Sequence, residues 1–164
     1  MKKLSILIVL FCIALSSFAQ DQTTFILVRH SEKANDGTND PALSQAGLER
    51  SNDLAAMFAK QQIDALYSTP YKRTRSTLTP LARAKGLEIE EYDPYAGDKM
   101  LEAAISKYPS GTVIVSGHSN TIPNLANALL GNEQFEQFSD SDYSNLIIIV
   151  AGKTGEGKLV HLSF

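Results

Sequence analysis

Residues 25–32 read FILVRHSE, four consecutive apolar residues followed at once by arginine and histidine. An unbroken apolar run of this length is typical of a strand buried on both faces, as in the parallel sheets of α/β proteins. Residues 112–118 read TVIVSGH, so a second apolar strand also ends on a histidine. Because ligands of parallel sheets bind at the carboxyl ends of the strands, we expect Arg29, His30 and His118 to share one site.

Helical periodicity separates the predicted strands. Apolar residues recur at helical spacing after Ser44, a suitable N-cap, and residues 72–85 are predicted to form a helix that is interrupted near Pro80 and ended by Gly86. The other predicted elements are helices over 100–108 and 124–130, and strands around 64–67, 87–90, 146–150 and 158–162. This alternation predicts one domain with a three-layer α/β/α fold, a mostly parallel sheet and a C-terminal hairpin.

The first 20 residues, MKKLSILIVLFCIALSSFAQ, have the three-part pattern of a secretory signal peptide. A basic start precedes an apolar run that is shorter than the roughly 20 residues needed to span a bilayer. A small-x-small cleavage site follows at residues 17–19. We therefore interpret 1–19 as a signal peptide and 20–164 as the folded domain, and expect an exported product, periplasmic or secreted, with no stable membrane anchor after cleavage.

The overall composition is that of an ordinary globular protein, with 43% hydrophobic and 20% charged residues among 164. The 15 basic and 18 acidic residues leave a formal net charge of −3, which argues against a nucleic-acid partner. Cleavage would remove Lys2, Lys3 and Cys12, leaving 13 basic residues and no cysteine. An exported product would then work without disulfides or thiolate metal ligands.

Polar clusters follow three of the predicted strands and together supply two imidazoles and two guanidiniums, from Arg29, His30, Arg73 and His118. This set suits a phosphoryl group. Arginine binds phosphate oxygens bidentately and stays charged, and a neutral imidazole can attack phosphorus and hold it covalently. Each residue alone is more often part of a solvated surface or a hydrogen-bonded turn. Their joint occurrence at three strand ends indicates a site.

With these elements the sequence resembles the histidine phosphatase superfamily, which has the phosphoglycerate mutase-like fold. The resemblance extends from Phe25 to about Leu130. The family's Arg-His-Gly-Glu signature is similar to residues 29–32, where Ser31 replaces a glycine whose backbone freedom serine lacks. Its Leu-Ser-x-x-Gly, Ser-x-Pro-x-x-Arg-x-x-x-Thr and Gly-His elements are similar to residues 43–47, 68–77 and 117–118.

The resemblance implies that His30 is the nucleophile that becomes phosphohistidine. Arg29, Arg73 and His118 would complete the phosphate pocket, with His118 donating to the transferring group and no metal or other cofactor. The resemblance leaves the general acid open among Glu88, Glu90, Glu91, Asp93 and Asp98. Asp93 is favoured because it lies just past the strand-like run, and Glu32 is interpreted as a brace for its loop.

The resemblance and the signal-peptide pattern together predict a small exported bacterial phosphatase, a metal-independent phosphomonoesterase whose catalytic domain is 20–164. A mutase is the less favoured member of the family, because mutases usually carry enclosing insertions for which this chain has little room. The expected substrate is a small-molecule or lipid-linked phosphoester, such as an envelope sugar phosphate.

A serine hydrolase is the main alternative. Residues 115–121 resemble a strand followed by a Gly-x-Ser-x-Gly elbow, with Ser119 as nucleophile and Asp140 or Asp142 and then His161 as partners in the right chain order. However, Thr121 stands in place of the second glycine, and this hypothesis leaves Arg29, His30 and Arg73 without a role.

Two further hypotheses concern phosphate binding without a phosphohistidine intermediate. Residues 152–158 fit Gly-x4-Gly-Lys, but Leu159 stands where a phosphate-binding loop needs Ser or Thr, so the segment is interpreted as a hairpin turn. A non-catalytic phosphate-binding module is the other alternative.

Overall fold

A six-stranded sheet flanked by four helices organises residues 21–163, the part of the chain that the computed structural model describes. The predicted signal peptide at 1–19 lies outside these residues. The elements are β1 Thr23–Arg29, α1 Gln45–Met57, β2 Ala65–Ser68, α2 Lys72–Lys85, β3 Ile89–Glu91, α3 Gly97–Lys107, β4 Thr112–Gly117, α4 Thr121–Leu130, β5 Asn145–Ala151 and β6 Lys158–Ser163. No helix in this described part is long and apolar enough to cross a membrane.

The strand order across the sheet is β3-β2-β4-β1-β5-β6. The first four strands are parallel, and the β5–β6 hairpin continues the sheet antiparallel to β1. The two apolar strands of the sequence are neighbours, with Phe25 opposite Val113 and Leu27 opposite Val115. The predicted α/β fold with a mostly parallel sheet and a C-terminal hairpin is confirmed.

Successive side chains of β1 point to opposite faces of the sheet and so contribute to two separate hydrophobic cores, one on each face. Phe25 and Leu27 pack into the core that α3 and α4 cover, whereas Ile26 and Val28 pack into the core that α1 and α2 cover. All four side chains are at most 3% exposed. An unbroken apolar run is therefore what a central strand of a three-layer fold requires.

The segment before β2 confirms the predicted helix start at Ser44, whose hydroxyl accepts a hydrogen bond from the Gly47 N–H at 3.1 Å. Ser44 also donates its own backbone N–H to the Glu32 carbonyl oxygen at 2.8 Å. A Cβ on Gly47 would collide with that same carbonyl group. The glycine therefore lets the first turn of α1 pack directly on the loop that follows β1.

The predicted interruption near Pro80 is wrong, because α2 runs without a break to Lys85 and ends at Gly86 in the left-handed conformation (φ 66°). A proline lacks the N–H that would bond the carbonyl four residues earlier, here that of Ser76. The Ser51 hydroxyl of α1 donates to this carbonyl at 3.0 Å and also contacts the Thr77 carbonyl at 2.9 Å. A neighbouring helix thus satisfies the group that the proline leaves unpaired.

We predict that Ser51→Ala lowers the free energy of unfolding by about 1–3 kcal/mol, the usual cost of a buried acceptor left without a donor. In the Pro80→Ala background the new N–H at position 80 can bond the Ser76 carbonyl, so the same substitution should cost less. Chemical denaturation of the wild type, both single variants and the double variant measures this coupling. Strict additivity of the two substitutions would contradict this role of Ser51.

The chain leaves β1 and β4, which lie side by side, toward opposite faces of the sheet. After β1 it enters α1 on one face, and after β4 it enters α4 on the other. Such a reversal opens a crevice at the carboxyl ends of the two strands, where α/β proteins bind their ligands. Arg29 ends β1 and Gly117 ends β4, so His30 and His118 lie at this crevice.

Candidate active site

A cavity of about 280 Å³ lies at the carboxyl ends of β1 and β4. Four residues predicted for the phosphate pocket line it together. The full lining consists of Arg29, His30, Lys33, Tyr71, Arg73, Pro94, Tyr95, His118, Ser119, Asn120, Thr121 and Asp140. Nowhere in residues 21–163 do three His, Cys, Asp or Glu side chains converge in a way that would hold a metal ion.

His30 lies at the floor of this cavity and is 4% exposed. Its Nδ1–H donates to the Ser31 carbonyl oxygen at 2.8 Å, which leaves the lone pair on Nε2. Burial lowers the pKa of His30 to about 3; the positive charges of Arg29 and Arg73 act in the same direction and the Ser31 hydrogen bond opposes them. The imidazole is therefore neutral at physiological pH, as a nucleophile must be.

This buried imidazole predicts a loss of stability in acid. The pKa of His30 is about 3 in the folded protein and about 6.5 in an unfolded chain. Between these values only the unfolded state binds the proton, so the free energy of unfolding should fall as the pH drops below about 6.5. We expect His30 to contribute a loss of about 1–2 kcal/mol between pH 7 and pH 5.

Urea denaturation at the two pH values, on the wild type and on His30→Gln, measures this contribution. The glutamine variant lacks the titrating group and should lose less stability than the wild type over the same interval. An identical loss in both proteins would contradict the assignment.

His118 faces His30 across the crevice and has its protons fixed by a chain of hydroxyls. Its Nε2–H donates to Thr69 Oγ1 at 2.9 Å, Thr69 donates to Thr74 Oγ1 at 3.0 Å, and Thr74 donates to the carbonyls of Thr69 and Tyr71. The lone pair therefore lies on Nδ1, which accepts from Arg73 Nη2 at 3.4 Å. Burial, followed by the charge of Arg73, lowers the pKa of His118 to about 4.

Arg29 is 5% exposed and is held mainly by backbone carbonyl oxygens of the loop at 131–144. Its Nη1 donates to the carbonyl oxygens of Ser139 and Asp142, both at 2.7 Å. The guanidinium carbon lies 4.2 Å from the centre of the Tyr143 ring, and Nη2 lies 3.8 Å from the carboxylate of Asp140. Nε is buried without a hydrogen-bond partner among the described residues. The guanidinium is thus fixed, with donor capacity left for an anion.

Arg73 supplies the second fixed positive charge, on the first turn of α2. Its Nη1 lies 3.4 Å from Asp40 Oδ1, and its guanidinium carbon lies 4.5 Å from the centre of the Tyr71 ring. Asp40 also accepts from the Lys72 N–H at 3.0 Å, at the start of the helix. The acidic side chain therefore holds α2 and Arg73 from the edge of the cavity.

The loop that carries His30 is braced by its neighbours, as expected for Glu32. The Glu32 carboxylate accepts from Arg50 Nε at 2.9 and 3.1 Å. The Ser31 N–H donates to Thr77 Oγ1 at 2.9 Å, which ties the loop to α2. Ser110 is the one non-glycine residue of the described part with a positive φ. The φ of Ser31 is thus negative, a backbone conformation that does not require glycine.

Asp93 is not brought into the cavity. Its carboxylate is exposed and accepts from the Tyr95 N–H at 2.8 Å, while Pro94 and Tyr95 themselves line the cavity. Its role as general acid stays a prediction. The remaining four carboxylates considered for that role are also absent from the lining: Glu90 accepts from Lys107 and Tyr108, Glu91 pairs with Arg75, and Glu88 and Asp98 lie elsewhere on the surface.

The topology does not support the serine hydrolase alternative. Ser119 lines the cavity, but His161 lies on β6, three strands away from β4 in the sheet order. At about 4.8 Å per strand the backbones of β4 and β6 lie about 14 Å apart in the sheet. The Asp142 carboxylate is engaged by Ser144 and Asn145 within its own loop. The Gly-x4-Gly-Lys segment forms the predicted turn between β5 and β6.

Sequence reasoning missed several residues that shape the site. Thr69 and Tyr71 lie inside the motif at 68–77, but the pattern itself specifies neither the hydroxyl chain to His118 nor the stacking on Arg73. Tyr143 and the carbonyl of Ser139 had no signal at all, because a backbone oxygen is present at every residue.

Residues 25–94 match the sequence model of the histidine phosphatase superfamily (branch 1). Phosphoserine phosphatase 1 of Hydrogenobacter thermophilus is 33% identical over 97 residues, which cover 51% of this chain and 46% of that protein. The match thus spans about half the length of this curated relative.

Solved structures extend the similarity over most of the chain. A mycobacterial glucosyl-3-phosphoglycerate phosphatase aligns with a TM-score of 0.71 at 13% identity, covering 87% of this chain and 99% of that one. The protein histidine phosphatase SixA, solved with tungstate, aligns with a TM-score of 0.70 at 19% identity, covering 85% and 96%. At these identities the likeness shows the fold.

The fold and the cavity together define an α/β protein with a strongly basic crevice, floored by two histidines and two arginines. Residues 25–94 are similar to the histidine phosphatase superfamily, and the solved structures show that the chain shares the fold of the phosphatases described above.

Proposed function

We propose that this protein is a metal-independent phosphomonoesterase that works through a covalent phosphohistidine on His30. The observation that carries the proposal is the state of that side chain. Its Nδ1 proton is donated to the Ser31 carbonyl, and its lowered pKa keeps the Nε2 lone pair available in a cavity that the Arg29 and Arg73 guanidiniums also line. The similarity to phosphatases supports the same reaction class.

In the first step Nε2 of His30 attacks phosphorus and the bond to the leaving oxygen breaks. The equatorial oxygens carry the developing charge, and the Arg29 and Arg73 guanidiniums that line the cavity offer donors to them. A bound phosphate dianion also favours protonation of Nδ1 of His118, which can then donate to the same oxygens. Water attacks the phosphohistidine in the second step and returns the electron pair to Nε2.

We predict that His30→Ala lowers phosphate release at least about 1000-fold on every substrate of a phosphoester panel, because no other group supplies the nucleophile. Ser119→Ala should retain activity within about tenfold, since His161, the base that the hydrolase hypothesis requires, lies on β6, three strands from β4. Rapid-quench labelling with a radioactive phosphoester should give an acid-labile, base-stable label in the wild type alone.

Opposite outcomes identify the alternatives. Esterase activity lost in Ser119→Ala but kept in His30→Ala would support a serine hydrolase. Phosphate binding by calorimetry without turnover of any phosphoester would support a non-catalytic phosphate-binding module.

We further propose that the protein acts outside the cytoplasm, on a small or lipid-linked phosphoester of the cell envelope. The proposal rests on the signal-peptide pattern of residues 1–20. We expect protein recovered from the envelope or medium of its host to begin at Gln20, as N-terminal mass spectrometry would show. A mature protein that retains residues 1–19 would contradict export by this route.

A further inference from the structure

We propose that Asp140 is the general acid of the reaction, the carboxyl group that protonates the leaving oxygen. This inference rests on the proposed phosphatase function. It gives a role to a residue that the sequence places only in the rejected hydrolase triad.

The geometry of an in-line displacement sets where the acid must stand. The attacking Nε2 and the leaving oxygen lie on opposite sides of phosphorus. His30 is 4% exposed at the floor of the cavity, so the leaving oxygen points toward the mouth. The Asp140 side chain is 94% exposed and belongs to the cavity lining, so it stands at this mouth.

Asp140 is also the one carboxylate among the residues that line the cavity. The carboxylates that the sequence favours are not among the lining residues, although Asp93, the first of them, accepts a hydrogen bond from the N–H of Tyr95, which does line the cavity. Asp140 Oδ1 lies 3.8 Å from Nη2 of Arg29, one of the two guanidiniums placed to bind the phosphoryl group. A carboxyl group this close to a phosphate-binding nitrogen lies within reach of the ester oxygen of the same group.

The backbone fixes Asp140 even though its side chain is exposed. The carbonyls of Ser139 and Asp142, on either side of it, both bind Nη1 of Arg29 at 2.7 Å. One guanidinium therefore holds the loop through Nη1 and faces Asp140 through Nη2. The acid and the phosphate-binding arginine are positioned as one unit, which is what proton transfer to a bound ester requires.

Protons and bonds balance over the two steps. As the N–P bond to His30 forms, the P–O bond breaks and the leaving oxygen takes the proton of the Asp140 carboxyl, releasing an alcohol. Water then forms the new O–P bond, its proton goes to the Asp140 carboxylate, and the N–P electron pair returns to Nε2. The enzyme is restored, and one ester and one water have become one alcohol and one phosphate.

The dependence on the leaving group tests this role. An alkoxide cannot leave without a proton, whereas p-nitrophenolate leaves readily as an anion. In Asp140→Asn, kcat/KM for glycerol 3-phosphate should fall about 100-fold, the scale of general acid catalysis, and that for p-nitrophenyl phosphate should stay within about threefold. Asp140→Glu should restore part of the loss on the alkyl ester.

The matched control is Glu136→Gln, which removes an exposed carboxylate of the same loop that does not line the cavity. It should leave both substrates unaffected. Inhibition by inorganic phosphate separates a chemical role from a positional one. If Asp140 served only to hold Arg29, Asp140→Asn would weaken phosphate inhibition and slow both substrates equally, which would overturn the proposal.

Selective loss of alkyl ester hydrolysis in Asp93→Asn instead of Asp140→Asn would overturn it as well, in favour of Asp93. A wild type that hydrolyses neither these two esters nor any other member of the phosphoester panel would refute the proposed phosphatase function itself and this role with it. That result is distinct from either outcome above.

Discussion

The parallel pairing of β1 with β4 is the constraint on which the rest of this structure depends. Arg29 lies opposite Gly117, and the His30 N–H extends the ladder to the Gly117 carbonyl at 2.8 Å. A slip of one residue would move Phe25 and Ile26 to the wrong cores, so burial on both faces fixes the register. The register in turn holds the His30 and His118 rings 5.5 Å apart. Core packing thus determines the geometry of the site.

The same crevice concentrates positive charge without balancing it by a buried carboxylate. Carbonyl oxygens satisfy one edge of Arg29, Asp40 approaches Arg73 from the rim, and both imidazoles remain neutral because burial and the arginines lower their pKa. A neutral histidine pair avoids the repulsion that two further cations would add. The net result is a site with two fixed charges and open donors, which favours a dianion despite the acidic composition of the whole chain.

Local patterns were enough to predict the strands, the Ser44 cap, the Gly86 helix end and the convergence of four polar residues. These features depend on hydrophobic periodicity and on which residues follow each strand. Both can be recognised within a single stretch of sequence. The continuous helix through Pro80 could not be predicted, because the group that rescues it, Ser51, belongs to another helix. The placement of Asp93 outside the cavity likewise follows from the turn it forms with Tyr95, which strand-end counting does not reveal. A contact distant in sequence decides the first case, and the geometry of a local turn decides the second.

The loop at 131–144 shows how such distant contacts join the two halves of a phosphoryl transfer site. The buried Asn127 side chain of α4 binds the backbone at Gln134 and Phe135, which fixes where the loop begins. Arg29 then binds the loop near its end, so the residue that holds phosphate also sets what stands at the cavity mouth. The strand ends form the floor of the cavity, and this loop contributes to its mouth. Substitutions in the loop can therefore change which leaving groups the site accepts, while the phosphate-binding residues at the floor of the cavity stay the same.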